Sequence, residues 1–405
     1  MRSVPKKMGN PEIQYGANGN QIDDFFKEKR QWSETKDKIL GDYIDCYLKT
    51  IDKRNRPIII VDAFSGPGTF GDGKDGSPLI ICKLIDRRAS KTEVGIGCVF
   101  ADNQAAHRQA LEISIASYIQ RGMTPTPLSS FSEALAYALK VGTGSTLFFY
   151  LDPYGIKELE FETVRQIYER SPKESTEVLI NFSYPTVMRM SGNWSYGDSS
   201  EEISRRVKQA KVETLDRVMG GNYWLPIVTN PALNKVQRED AVVNAYTDRV
   251  RSFFKFAYPI PVKALESSPG VPADDTAKYH LIFGTRSSRA VRYMNDVAIS
   301  AIRPYLDQFK NDLLFAMTPE RYEAAPIEEV KSAIVRAVER QAMKRPDIYE
   351  AIIPDYFLQY RSRDYREMID ELVFRERRLF ADQRTLKMKD RLNNDTLIAT
   401  KPWTP

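Results

Sequence analysis

Three apolar runs in this chain end in aspartate: Asp62 after PIIIV, Asp102 after VGIGCVFA, and Asp152 after STLFFYL. A carboxylate contributes nothing to packing at the end of a buried run, so each is a candidate for ligand chemistry. After the first comes VDAFSGPGTFGDGKDGSPLI (61–80), which carries Gly66, Gly68, Gly71, Gly73 and Gly76. Glycine lets the backbone approach a ligand closely, and free N–H groups in such a turn favour anionic or polar groups. The segment GPGTFG has the G-x-G-x-x-G spacing, a weak signal alone. Asp102 lies 40 positions after Asp62, further than the roughly 20 expected after the glycines of a compact dinucleotide site. A loop TFGDGKDGSP inserted before the next helix accounts for the excess. A P-loop is excluded, because Lys74 is followed by Asp75 and no G-K-[ST] occurs here. Asp152-Pro153-Tyr154 closes the strongest apolar run, and Asn181 and Tyr184 close the next.

These residues need a frame to hold them. RPIIIVDAF (56–64), VGIGCVFAD (94–102), TPTPLSS (124–130), STLFFYLDPYG (145–155) and TEVLINFSY (176–184) read as strands, the third a weak one. GSPLIICKLID, NQAAHRQALEISIASYI, FSEALAYALKV and LEFETVRQIYER read as the helices between them. Strands apolar on both faces that alternate with helices predict a parallel sheet covered on both sides. One or two amphipathic helices over Phe25–Leu48 precede them, and residues 1–24 read as a poorly ordered arm. Residues 186–256 lose the alternation and read as a helical insertion after strand five. YPIPVKAL (258–265) and KYHLIFGT (278–285) are strands joined by a loop, so they pair as a hairpin. After Pro319 a helix (327–341), a second helix over 362–380 and a short strand at 395–400 predict a winged-helix-like module. The expected organisation is an arm 1–24, an α/β domain 25–318 and a C-terminal domain 319–405.

Composition narrows the function. The chain has 405 residues, 42% hydrophobic, with a net charge of +5. That balance permits nucleic-acid contact without demanding it. Three separated cysteines and two histidines exclude a zinc pattern and a His- or Cys-rich metal site. No window approaches a membrane span and the start has no signal sequence, so a reduced, cytoplasmic setting is expected. Lys36 reads as a solvated lysine and His107 as a packing or surface residue. The run RERR (375–378) closes the candidate recognition helix and could contact nucleic acid.

As a set, D-x-F-x-G-x-G, an acid closing strand two and DPY closing strand four resemble the class I S-adenosylmethionine-dependent methyltransferases. The resemblance implies a Rossmann-like sheet of seven strands with a β6–β7 hairpin. It also implies a cofactor held by Asp62, Phe64, Gly66 and Gly68 on its methionine side, by Asp102 at the ribose, and by Ser130 and Phe131 at the adenine. Asp152-Pro153-Tyr154 would then face the methyl group as the catalytic turn, with Asn181 and Tyr184 at the substrate. That turn is similar to the [DNS]-P-P-[YF] turn of amino methyltransferases, which takes a flipped base, but lacks one proline.

FFKEKRQWSETKDKILGDYIDCYL, VDAFSGPGTFGDGKDGSPL, LFFYLDPYGI, EVLINFSY and YHLIFGTRSSRAVRYMNDV, in this order, resemble the three-Cys-motif partner protein family over about residues 25–305. This resemblance implies a radical-SAM-like partner protein carrying three cysteines. Methyl transfer to nucleic acid, a non-catalytic adaptor role for that partner, and an NAD-dependent dehydrogenase are the three functions considered. The hairpin counts against the dehydrogenase.

Overall fold

A computed structural model describes residues 26–192, 202–263, 277–311, 324–386 and 392–402. The arm 1–24 and the loop joining the hairpin lie outside the described residues. Helix α1 (Gln31–Ile51) opens the fold as one helix. Leu40, Tyr43, Ile44, Tyr47, Leu48 and Ile51 recur at helical spacing and are all buried.

Strand β1 (Ile58–Asp62), helix α2 (Ser77–Ala89), β2 (Ile96–Ala101), α3 (Ala105–Gln120), β3 (Pro125–Leu128), α4 (Phe131–Val141), β4 (Thr146–Leu151), α5 (Phe161–Tyr168) and β5 (Thr176–Phe182) alternate as expected. A helical segment follows: α6 (Tyr184–Ser191), α7 (Glu202–Met219), α8 (Trp224–Val228) and α9 (Lys235–Arg251). Then come β6 (Phe256–Val262), β7 (Tyr279–Thr285) and α10 (Ser288–Asn311).

The described strands form a seven-stranded sheet in the order β3-β2-β1-β4-β5-β7-β6. Strands β1 to β5 pair in parallel, and β7 runs antiparallel to both β5 and β6. This is the class I methyltransferase fold. Alternate side chains leave the strands on opposite faces. Ile60, Phe148 and Tyr150 meet α1, α2 and α10, whereas Val61, Phe149 and Leu151 meet α4, α5 and the helical segment. That segment is integral to its layer: Trp224 and Tyr246 are fully buried, and Tyr246 stacks on Phe182 at 4.6 Å.

The C-terminal part runs α11 (Ile327–Val338), β8 (Met343–Lys344), α12 (Arg345–Ile352), α13 (Ser362–Asp370), β9 (Phe380–Ala381) and β10 (Leu397–Ala399). Its strands form an antiparallel sheet in the order β8-β10-β9. Strands β8 and β9 are two residues long and left no alternation in the sequence. Val330, Ile334, Ile348, Ile369 and Ile398 make its core together with Val291 of α10, and Phe256 and Tyr258 of β6 pack against them. The expected helix over 362–380 is corrected. It ends at Asp370, passes through one π-helical turn (Glu371–Arg375), and closes when the amides of Arg378 and Leu379 donate to the Leu372 carbonyl at 3.0 and 3.2 Å. Arg377 takes φ 59° in this closure. Of the run RERR, Arg375 ends the π-helical turn and Glu376, Arg377 and Arg378 form the closing turn instead of a helix face.

Candidate functional site

The carboxyl ends of β1, β2, β4 and β5 lie on one edge of the sheet, and antiparallel β7 brings its amino end to the same edge. Every acid singled out in the sequence stands there. Asp62 ends β1 fully buried. It accepts hydrogen bonds from Ser77 Oγ at 2.6 Å and the Phe64 amide at 3.3 Å. Burial pushes its carboxyl up to about 7, against the pull of these two donors.

The turn after β1 needs its glycines. Gly66 and Gly68 take φ 60° and 84°, a region that costs other residues steric strain. A Cβ on Gly66 would also stand 2.7 Å from the Phe26 ring, and one on Gly68 would stand 3.0 Å from Leu111. Beyond the turn, Thr69 and Asp75 bridge, Phe70 donates to the Lys74 carbonyl at 2.9 Å, and Gly76 donates to the Gly68 carbonyl at 2.7 Å. The inserted loop is thus a small folded-back finger, which explains the long interval from Asp62 to Asp102.

Asp102 follows β2 and ties the two strand ends together. Its Oδ2 accepts from the Gly66 amide at 3.0 Å. Its Oδ1 accepts from the Gln104 amide at 2.8 Å and lies 3.1 Å from His107 Nδ1. His107 is buried, so it packs as expected and also orients this carboxylate. Ser130 is the N-cap of α4, accepting from the Glu133 amide at 3.2 Å. The buried Phe131 ring meets Phe64 at 5.4 Å. Residues 26–29 cover the turn: Phe26 lies 5.0 Å from His107 and 5.5 Å from Phe70, and its carbonyl accepts from the Gly71 amide at 2.7 Å. Carboxylates, backbone amides and a glycine cradle suit a ligand carrying hydroxyls and an ammonium group.

Asp152, after β4, is held from three directions. Lys36 Nζ donates to Oδ2 at 2.6 Å, the Tyr150 hydroxyl donates to Oδ2 at 2.9 Å, and Asn181 Nδ2 donates to Oδ1 at 2.6 Å. The solvated reading of Lys36 is corrected, since its side chain is buried in this ion pair. The signal was present in the sequence. Positions 36, 40, 43 and 47 form one helical stripe, and the other three are Leu40, Tyr43 and Tyr47. Lys36 also stands 5.0 Å over the Tyr279 ring. A second buried pair lies beside it, Lys29 Nζ to Asp37 Oδ2 at 2.5 Å, with Asp37 raised by burial.

The remaining candidates divide. Asn181 joins Asp152 directly. Pro153 is buried within the turn, whereas Tyr154 is 41% exposed. Tyr184 opens α6 buried, its phenol pushed up to about 12 by burial and the nearby Glu239. Among the described residues no group of three or more His, Cys, Asp and Glu could hold a metal ion, and no helix is long and apolar enough to cross a membrane.

No family model matches this chain, and no curated protein matches it. Among solved structures it is similar to cofactor-bound Rv0187 from MTB, at 11% identity over 61% of this chain and 79% of that one, with a TM-score of 0.28. It is also similar to the plantazolicin methyltransferase BamL, solved with a triazolic desmethylPZN analog and SAH. There the identity is 12% over 63% and 88% of the two chains, with a TM-score of 0.27. A geranyl diphosphate methyltransferase, solved with GPP and sinefungin, is 12% identical over 57% and 71%, at 0.22. The fold assignment rests on the strand order, and these likenesses add nothing to the site.

Proposed function

We propose that this chain is an S-adenosylmethionine-dependent methyltransferase acting on nucleic acid or a nucleic-acid-associated acceptor. One observation carries the reading: Asp62, Asp102 and Asp152 stand at the ends of three neighbouring strands around a turn whose glycines take positive φ. In this reading Asp62, Phe64, Gly66 and Gly68 hold the methionine end, Asp102 holds the ribose hydroxyls, and Ser130 and Phe131 border the adenine. Asp62 gains a reason to be ionised when an ammonium group sits beside it. The bound cofactor supplies an electrophilic methyl group, and the chain's task is to align an acceptor and exclude water. Asp152 orients that acceptor. Three donors fix the orientation of its carboxylate, and alignment is the role assigned to Asp152, Pro153 and Tyr154.

The C-terminal order of helix, strand, helix, helix, strand and strand supports a winged-helix module, with Arg363 and Arg366 on the exposed side of α13. The resemblance to the three-Cys-motif partner family supports a radical-SAM-like partner protein. The second reading is an adaptor that binds cofactor or nucleic acid without catalysis. The Lys36–Asp152 pair favours it, since it occupies the carboxylate an acceptor would use. Transfer of labelled methyl from S-adenosylmethionine to total nucleic acid, with and without the partner, decides between them. Cofactor binding with no transfer in any combination would leave the adaptor.

A further inference from the structure

Among the described residues, the acceptor side of the edge holds two buried polar atoms without hydrogen-bond partners. Asn181 is 4% exposed, and its Oδ1 accepts no hydrogen bond while its Nδ2 is spent on Asp152. Trp32 Nε1 is buried and donates to none of the described residues. Both atoms belong to one continuous strip. Asn181 contacts Asp152, Asp152 contacts Lys36, and Lys36 is one helical turn along α1 from Trp32. Strand pairing sets Phe182 opposite His280, so Lys278 arrives beside the end of β5. Its Nζ stands 5.1 Å over the Trp32 ring. Arg189 of α6 adds a second cation close to Lys278, and the ammonium is held below its usual range, mainly by burial.

An unmet buried acceptor and an unmet buried donor are costly to keep. Their persistence beside an aromatic ring and two neighbouring cations is accounted for if a ligand completes them. That ligand must offer an N–H to Asn181, a carbonyl or ring nitrogen to Trp32, a flat face for stacking, and negative charge for the cations. A heterocyclic base next to a phosphate has all four.

We propose that the strip from Asn181 through Asp152 and Lys36 to Trp32 receives one base of a single-stranded nucleic acid, with the neighbouring phosphate on Lys278 and Arg189. The proposal rests on the methyl-transfer reading and names the acceptor of that same site. It places recognition of the base on α1 and β5, apart from the C-terminal module, and assigns no bond-making step to any residue.

The test uses the full chain with S-adenosylhomocysteine present. Binding is measured for a mixed-sequence ten-nucleotide single strand, as RNA and as DNA, and for an abasic strand with the same number of phosphates. We expect the strand with bases to bind at least ten-fold more tightly. Trp32→Ala should remove that preference, costing roughly 5- to 150-fold as loss of one base stack does, while Trp32→Phe retains most of it. Lys278→Ala should weaken both strands alike and reduce the salt slope by about 0.7. Equal binding of the abasic strand, or a preference that survives Trp32→Ala, overturns the proposal and leaves binding to the C-terminal module. Loss of all binding in Trp32→Ala counts as support only if that variant keeps the wild-type thermal shift with S-adenosylhomocysteine. If no strand binds while that shift persists in the wild type, the acceptor assignment fails alone. If base-dependent binding occurs with no shift, it is the cofactor reading that fails.

Discussion

Lys36 and Asp152 meet at 2.6 Å across 116 positions of the chain, joining the first helix to the end of the central strand β4. Both side chains are largely withdrawn from water, Lys36 more than Asp152. Removing one partner of a buried pair leaves an uncompensated charge, which costs up to about 3–5 kcal/mol when burial is complete. Asp152 keeps some solvent contact, so Lys36→Met should cost about 2 kcal/mol. The double variant Lys36→Met with Asp152→Asn should recover part of that loss in denaturant titrations, as coupled neighbours do. Additive losses would show that the pair does not act as a unit.

Asp152→Asn should leave S-adenosylhomocysteine affinity within a few-fold, because in the proposed reading Asp102 and the glycine turn hold most of that ligand. Methyl transfer should fall by about 10²-fold, on the scale of lost positioning. Equal transfer by both forms would move the chemistry off this strand end, toward Asn181 and Tyr184.

S-adenosylhomocysteine should raise the melting temperature, since a ligand that binds only the folded state stabilises it by mass action. Asp102→Ala should abolish most of that rise. Gly66→Ala should do the same through backbone strain and contact with Phe26. No rise at millimolar ligand would remove the cofactor reading.

Glu177 gives a pH dependence whose sign is fixed. It is buried on β5, accepts from the Tyr43 hydroxyl at 2.5 Å and from Thr285 Oγ1 at 3.2 Å, and is pushed up to about 7 by burial. A carboxyl raised on folding contributes stability that is complete below its unfolded value. That contribution is lost as pH rises to about 7. Glu177→Gln should therefore flatten the fall in stability between about pH 4.5 and pH 7. The gain above pH 7 should be on the order of 2 kcal/mol. An unchanged profile in urea titrations across this range would rule it out.

Deleting the chain after Pro319 should yield a core that still binds S-adenosylhomocysteine but melts lower. The Tyr258 hydroxyl donates to the Pro354 carbonyl at 2.9 Å and its ring stacks on Phe357 at 4.3 Å. Buried Asn295 donates to the Tyr360 carbonyl and accepts from the Leu358 amide. These groups and Val291 would face water. Aggregation of the truncated core at all temperatures would make the segment an inseparable layer of the fold.

The sheet was legible because its strands are apolar on both faces and its helices keep one period between them. The hairpin followed from loop length alone. The C-terminal strands β8 and β9 were not legible, since two residues cannot show a period. Helix α13 was drawn too long because Leu372, Val373 and Leu379 continue its apolar pattern after the backbone has turned. At the site, the acids and glycines stood out by type and position. Lys36 did not, because a lysine between polar neighbours looks solvated unless its place on the 36-40-43-47 stripe is followed. Asp102 and Ser130 stand out in the sequence, but their ties to Gly66, His107 and Glu133 come from side-chain geometry that no spacing encodes.

The clasp formed by Phe26 and Lys29 on the glycine finger has a kinetic meaning. Phe26 roofs Gly66, the Lys29 amide donates to Asp72 at 3.2 Å, and Lys29 Nζ donates to the Asp75 carbonyl at 2.6 Å. A molecule held against the glycine turn beside this clasp could leave only after several bonds open together, so residence time and equilibrium affinity would be set by different residues. Phe26→Ala should shorten the dwell of bound S-adenosylhomocysteine in stopped-flow displacement much more than it weakens the final affinity.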